Sequence, residues 1–268
     1  MNNYKSMGSV TYRLLEYINT TTKKDVNYEI AIIILKNFKK VSEMNITEVA
    51  ELCYVSPATI SRFCRFIGFN NFSEFKKFLN IKFSLQKDYS KQLIFNADND
   101  IKSAYEEYTN SLIKNMIYSL ENLDYKKLDK IVETIYKTEK VAFFGAQFIQ
   151  SIGMHLQSRL MLTGKYIEVY SSYDKQLECA KNLDKNSLAI IVSVEGSYFF
   201  KYMEIIEVLK EKGVKILVIT QNMNSKLAEI ADEILVCGNS NSNNEGRDTV
   251  LYIIELLIFR YSILFCES

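Results

Sequence analysis

Two short stretches of the sequence carry side chains spaced for chemistry. The first is SVEGSY, Ser193–Tyr198, directly after the apolar run LAIIV at 188–192. A buried strand that ends in a serine, a glycine and then a helical pattern is where a parallel α/β sheet holds its ligand. Short hydroxyls and backbone N–H groups at such a turn suit a phosphate. Glu195 opposes that use, because a carboxylate repels a dianion. It also has a ligand-free reading, as a carboxylate favoured by the dipole at a helix N-terminus. The second stretch is SPATISRFCR, Ser56–Arg65, where Ser56 can cap a helix that begins at Pro57. Helical spacing then buries Ile60, Phe63, Cys64 and Ile67, and leaves Ala58, Thr59, Ser61, Arg62, Arg65 and Phe66 outward. Small polar residues at a helix start can approach base edges and phosphates, Arg62 can hydrogen-bond guanine, and Arg65 is placed for the backbone. The bland alternative is a helical packing unit with solvated arginines.

Acid–base chemistry has little to work with. General acid–base catalysis needs a group of tuned pKa, and the single histidine, His155, lies in the helical pattern GMHLQSR. A lone helical histidine is read as structural or solvated, so no catalytic residue is assigned and the chain is expected not to be an enzyme.

The elements that must position these residues fit a soluble protein. The chain has 268 residues, 48% of them hydrophobic, and a net charge of +1, enough for one large domain or two modest ones. Residues 1–85 hold twelve Lys and Arg against seven Asp and Glu, so a polyanion is expected to bind at the front. The five cysteines, Cys53, Cys64, Cys179, Cys237 and Cys266, form no C-x-x-C pair; neither a zinc site nor a disulfide framework is expected, and a reducing cytoplasm fits best. The N-terminus lacks the pattern of a secretory signal. The most lipid-like stretch, Val250–Phe259, contains Glu255 and is too short to span a membrane. No membrane association and no cofactor are expected.

Helical patterns begin near Asn27 and again at Asn45 or Thr47; a tight turn then leads to the Ser56–Pro57 start, Gly68 closes that helix, and an aromatic helix follows with Phe72, Phe75, Phe78 and Leu79. Two helices joined by three or four residues, the second capped by Ser-Pro, form the signature of a helix-turn-helix. Residues 86–100 are polar and read as a linker. Helices are expected from Ile101 to about Asn122 and from Asp124 to about Lys137. Five short apolar segments then alternate with helical stretches, the pattern of a parallel sheet with right-handed crossovers, and a last helix runs from Arg247 to about Phe265.

The stretch MNITEVAELCYVSPATISRFCRFIGFNNFSEFKKFL closely resembles the N-terminal domain of the RpiR family of bacterial transcriptional regulators. The resemblance covers residues 28–82 and implies that Ser56, Thr59, Ser61, Arg62 and Arg65 read double-stranded operator DNA. Such regulators carry a C-terminal sugar isomerase (SIS) domain, a five-stranded parallel α/β sandwich that binds phosphosugars and dimerises. FFGAQ, MHLQSRLMLTG, SVEGSYF and SKLAEIADEIL are similar to its landmarks. The expected organisation is a helix-turn-helix domain at 1–85, a linker at 86–100 and a SIS-like effector and dimerisation domain at 101–268. An all-α bundle thus precedes an α/β, flavodoxin-type fold.

Where the resemblance implies an effector site, at Gly145, Gln147, Ile149, Ser193, Glu195, Gly196, Ser197 and Tyr198, the sequence departs from the family. The first loop lacks a second glycine and has Ile149 in place of a hydroxyl. The second has Glu195 for a serine and Tyr198 for a threonine. Donors are lost and a negative charge is gained. Three readings follow: a different sugar or other effector, neutral or cationic; no effector and a purely structural domain; or phosphosugar binding restored by Lys and Arg from elsewhere. The chain is expected to regulate carbohydrate genes in the cytoplasm, as a homodimer or homotetramer assembled through the α/β domain and the helices around 101–137. A sugar-phosphate isomerase or a ligand-free SIS scaffold is the competing class.

Overall fold

The computed structural model describes residues 10–79, 89–222 and 229–265. The chain divides into two compact units, Met1–Phe83 with Ser172–Asp174, and Ser84–Ser171 with Lys175–Ser268.

The described helices of the first unit are α1 (Val10–Thr20), α2 (Val26–Lys36), α3 (Phe38–Glu43), α4 (Ile46–Leu52), α5 (Pro57–Phe66) and α6 (Phe72–Leu79). Their starts are fixed by side chains. Asp25 caps α2 by accepting from the N–H groups of Asn27 and Tyr28, and Asn45 and Glu48 form a reciprocal capping box on α4. One apolar stripe of each helix enters a common core, with Leu14, Ile34, Val49, Ile60, Phe63 and Phe75 fully buried. α1 and α3 were not anticipated from the sequence: α3 has only six residues, and the apolar residues Val10, Leu14 and Tyr17 of α1 find their partners only in the assembled core.

The second unit begins with α7 (Lys91–Asn99), α8 (Ile101–Glu121) and α9 (Tyr125–Lys137). It continues through β1 (Val141–Phe144), α10 (Phe148–Met161), β2 (Glu168–Val169), α11 (Tyr173–Asn182) and β3 (Leu188–Val192). α12 (Ser197–Lys201), α13 (Met203–Glu211), β4 (Lys215–Thr220), β5 (Glu233–Val236) and α14 (Gly246–Phe265) complete it among the described residues. The strands form one parallel sheet in the order β2-β1-β3-β4-β5. β1 and β3 are buried along their whole length, as strands covered on both faces must be. The order reverses between β1 and β3, which puts the loops after these strands at the crevice where open α/β sheets bind ligands.

The linker expected at 86–100 is corrected in part: residues 86–88 lie outside the described ones, and Lys91–Asn99 form α7. Ser90 caps α7, Leu93 is buried, and Asn96 donates to Glu107 on α8 at 2.6 Å. A polar stretch with a single buried anchor reads as a linker until its partner helix is in place. The segment SKLA at 225–228 also lies outside the described residues.

Candidate functional site

In the first unit, α4 and α5 are joined by residues 53–56 as a helix-turn-helix. Ser56 accepts from the Thr59 N–H at 3.2 Å, and Pro57 occupies the first helical position. Ile60, Phe63 and Cys64 face the core, while Ser56, Arg62 and Arg65 are exposed and Thr59 and Ser61 half-exposed. These five polar residues therefore share the outer side of α5. Arg62 donates to Thr59 Oγ1 at 3.3 Å and Arg65 to Ser61 Oγ at 3.4 Å. Both guanidinium groups are thus held against the outer side of the helix. Phe66 was expected to point outward and does not: its ring packs edge-on against Tyr17 of α1, with centroids 5.1 Å apart.

A contact that the sequence did not reveal anchors the far end of α5. Arg13 of α1 donates to the carbonyls of Ile67 (3.5 Å) and Gly68 (3.2 Å), and its guanidinium carbon lies 4.8 Å from the Phe69 ring centroid. A cation there satisfies the last carbonyls and complements the negative end of the helix dipole. The spacing of 54 residues hid it.

In the second unit, side chains of this chain bridge the loops after β1 and β3. Ile149 is buried, and a Cβ on Gly145 would come within 2.4 Å of its Cγ2. Tyr198, 2% exposed, donates through its hydroxyl to Gln176 Oε1 at 2.7 Å. The Gln176 amide of α11 donates in turn to Gly145 O (2.8 Å) and Tyr170 O (2.7 Å). One buried amide thus ties the ends of β1, β2 and β3 together. Three backbone donors of the second loop are also engaged: Gly196 N–H with Ser193 O, Tyr198 N–H with Ser193 Oγ, and Phe199 N–H with Gly196 O. α12 runs for five residues before the chain bends at Tyr202, so its aligned dipole is short.

Of the eight residues expected at an effector site, Gln147, Glu195 and Ser197 are exposed, whereas Gly145, Ile149, Ser193, Gly196 and Tyr198 are buried. The Glu195 carboxylate accepts from Asn241 at 3.1 Å, and its backbone carbonyl accepts from Asn222 at 3.0 Å. Gln176, Asn222 and Asn241 belong to this network and were missed, since isolated amides in helix and loop sequence carry no pattern.

A second polar cluster lies at the start of α14. Glu245 is fully buried, and its carboxylate accepts from Ser111 (3.0 Å), Ser240 (2.7 Å) and the Asn243 N–H (2.6 Å). Burial pushes its pKa up, but these hydrogen bonds outweigh it and hold the carboxyl below its ordinary 4.5. Above this cluster a groove of about 810 Å3 runs along α8, lined by Glu107, Asn110, Lys114 and Asn239 among others. His155 Nε2 lies 2.5 Å from Glu255 Oε1, with both side chains partly exposed on α10 and α14. Among the described residues no group of His, Cys, Asp and Glu could hold a metal ion, and no helix is long and apolar enough to cross a membrane. Cys53, Cys64, Cys179 and Cys237 are free and buried, and burial pushes their thiols up to about 11 for Cys53 and about 12 for the other three.

Comparison with known proteins agrees with both units. Residues 12–86 match the helix-turn-helix domain of the rpiR family, and residues 134–243 match the SIS domain. An uncharacterized HTH-type transcriptional regulator of Haemophilus influenzae is 26% identical over 255 residues, covering 94% of this chain and 87% of the relative. The HTH-type transcriptional regulator HexR of Pseudomonas aeruginosa is 23% identical, covering 77% of this chain and 70% of the relative. Among solved structures, the Vibrio vulnificus NanR protein complexed with ManNAc-6P shares the fold with a TM-score of 0.52 at 20% identity, over 94% of this chain and 91% of that one. A helical unit with a capped helix-turn-helix, a five-stranded parallel α/β unit, and matches to both family domains in that order lead to one conclusion: the chain is a transcriptional regulator of the RpiR family, with an rpiR-type helix-turn-helix domain followed by a SIS domain.

Proposed function

We propose that this regulator binds operator DNA with α5 in the major groove, and that its SIS unit works without a phosphosugar in the cradle between β1 and β3. Arg62 reads a base edge, Ser56, Thr59 and Ser61 contact base edges and phosphates near the helix start, and Arg65 meets the backbone. The observation that carries the second part is the Tyr198–Gln176 hydrogen bond, together with the internal use of the N–H groups of Gly196, Tyr198 and Phe199. A phosphate needs free donors at close range, and these four are spent on the protein itself. Glu195 adds a carboxylate at the mouth of the same loop.

The chain acts as a regulator of carbohydrate genes and not as an isomerase: the single histidine, His155, is paired with Glu255 at a partly exposed position. It assembles as a homodimer through the SIS unit, where α8 leaves Tyr105, Ile113, Ile117 and Leu120 exposed along one side. Two copies present two α5 helices to two half-sites.

A thermal-shift scan of the full chain tests the closed cradle. Because NanR was solved with ManNAc-6P, that compound is the first to examine, followed by hexose phosphates and the unphosphorylated sugars. A ligand at a hundred times its dissociation constant stabilises a fold by about 2.7 kcal/mol. No shift with any phosphosugar is the expected result, and a shift of several degrees confined to phosphosugars overturns the reading.

A further inference from the structure

The turn between α4 and α5 holds a conformational anomaly. Tyr54 has φ +55°, in the left-handed region, and is 92% exposed. Its surroundings define the motif: the Tyr54 N–H donates to Glu51 O at 3.1 Å and the Val55 N–H to Ala50 O at 2.9 Å. This pair of bonds closes a helix with one residue in left-handed conformation, a position that favours glycine because a Cβ there is strained. The same pair of bonds closes α5, α10 and α13, and there the left-handed residues are Gly68, Gly164 and Gly213. Among these four helix ends Tyr54 alone carries a side chain, and it gains almost no burial in return.

Strain kept at an exposed position, two residues before the cap of the DNA-reading helix, points to a contact made only in the complex. In a docked helix-turn-helix the first helix crosses the phosphate backbone and the second enters the groove, so the turn joining them stands beside the backbone. We propose that Tyr54 is a further DNA-contact residue that donates its hydroxyl to a backbone phosphate next to the half-site read by α5. The proposal rests on α5 being the reading helix. Tyrosine is among the side chains that make such contacts, which fix register and carry no sequence information.

The test uses the full chain, a duplex enriched from a random pool by the wild-type protein, and a scrambled duplex of equal length. Binding is followed by fluorescence anisotropy at several salt concentrations. Tyr54→Phe, which keeps the ring and removes the hydroxyl, is expected to weaken binding to both duplexes by the same factor, about tenfold. The salt dependence stays as in wild type, since a neutral donor releases no counterion. Tyr54→Gly is expected to lose at least as much affinity while melting at or above the wild-type temperature. Wild-type affinity in Tyr54→Phe overturns the proposal, and so does a marked drop in the melting temperature of Tyr54→Gly, which would make the residue structural. Arg62→Ala separates the two failures. If it loses selectivity while Tyr54→Phe binds normally, only the tyrosine contact is wrong; if neither changes binding, α5 is not the reader.

Discussion

The hydroxyl of Tyr198 and the side-chain carbonyl of Gln176, 22 residues apart, meet at 2.7 Å inside the crevice where a doubly wound sheet keeps its ligand. The Gln176 amide also holds the carbonyls of Gly145 and Tyr170, so every polar atom that it brings into the crevice is satisfied. An internal strut of hydrogen bonds therefore joins the ends of β1 and β2 to α12.

Tyr198→Phe removes one partner of a buried hydrogen bond and leaves Gln176 Oε1 unsatisfied. The expected loss is about 1–3 kcal/mol of stability, read as a lower midpoint in urea with little change in slope. An unchanged midpoint would mean that water already serves the amide and that the crevice is open.

Arg62→Ala is expected to weaken binding to a selected duplex by about 1–3 kcal/mol and to relax preference at one base position. Arg65→Ala should instead weaken binding evenly across sequences and lower the salt slope by about 1. Titrations at several salt concentrations separate the two roles. Equal loss on selected and scrambled DNA for Arg62→Ala would remove it from base reading.

Replacing Arg13 with Met keeps an unbranched, apolar side chain on α1 and deletes the hydrogen bonds to Ile67 O and Gly68 O. The expected cost is about 1–2 kcal/mol of stability, from lost capping of α5 and a lost cation–π contact. Thermal denaturation of the full chain reads it, and no change in the first unit's transition would mean that the cap is idle.

Glu245 sets an acid limit. Its folded pKa lies below the ordinary 4.5 because hydrogen bonds from Ser240, Asn243 and Ser111 outweigh the opposing effect of burial. Between the two values the unfolded chain binds more protons, so the stabilisation is fully present above pH 4.5 and is lost as the pH falls through the folded value. Glu245→Gln should flatten this acid limb of the stability curve while lowering stability at neutral pH. An acid limb identical to wild type would assign it to other carboxylates.

Much of this architecture was legible in the sequence. The Ser56–Pro57 start, the face of Ile60, Phe63 and Cys64, and all five strands follow from local chemistry and period, and each is present. What escaped depends on contacts distant in sequence. α7 exposes most of its length, the apolar residues of α1 find partners only in the assembled core, and Phe66 turned inward because Tyr17 was there to receive it. At the candidate cradle Ile149, Glu195 and Tyr198 stood out in the sequence as departures from the family pattern. Gln176, the group that satisfies Tyr198, gave no signal, because a single glutamine in a polar helix has no periodicity to betray its burial. The groove along α8 likewise arises only where α8 passes the loop between β5 and α14.

The most direct test of the closed cradle is the affinity of the full chain for a selected DNA duplex, measured by fluorescence anisotropy with and without millimolar ManNAc-6P and hexose phosphates. The account predicts one binding curve in every case, because a ligand with no site has no differential affinity with which to shift the protein. A tenfold change in DNA affinity with any one phosphosugar, abolished by disrupting the loop at Ser193–Tyr198, would contradict it.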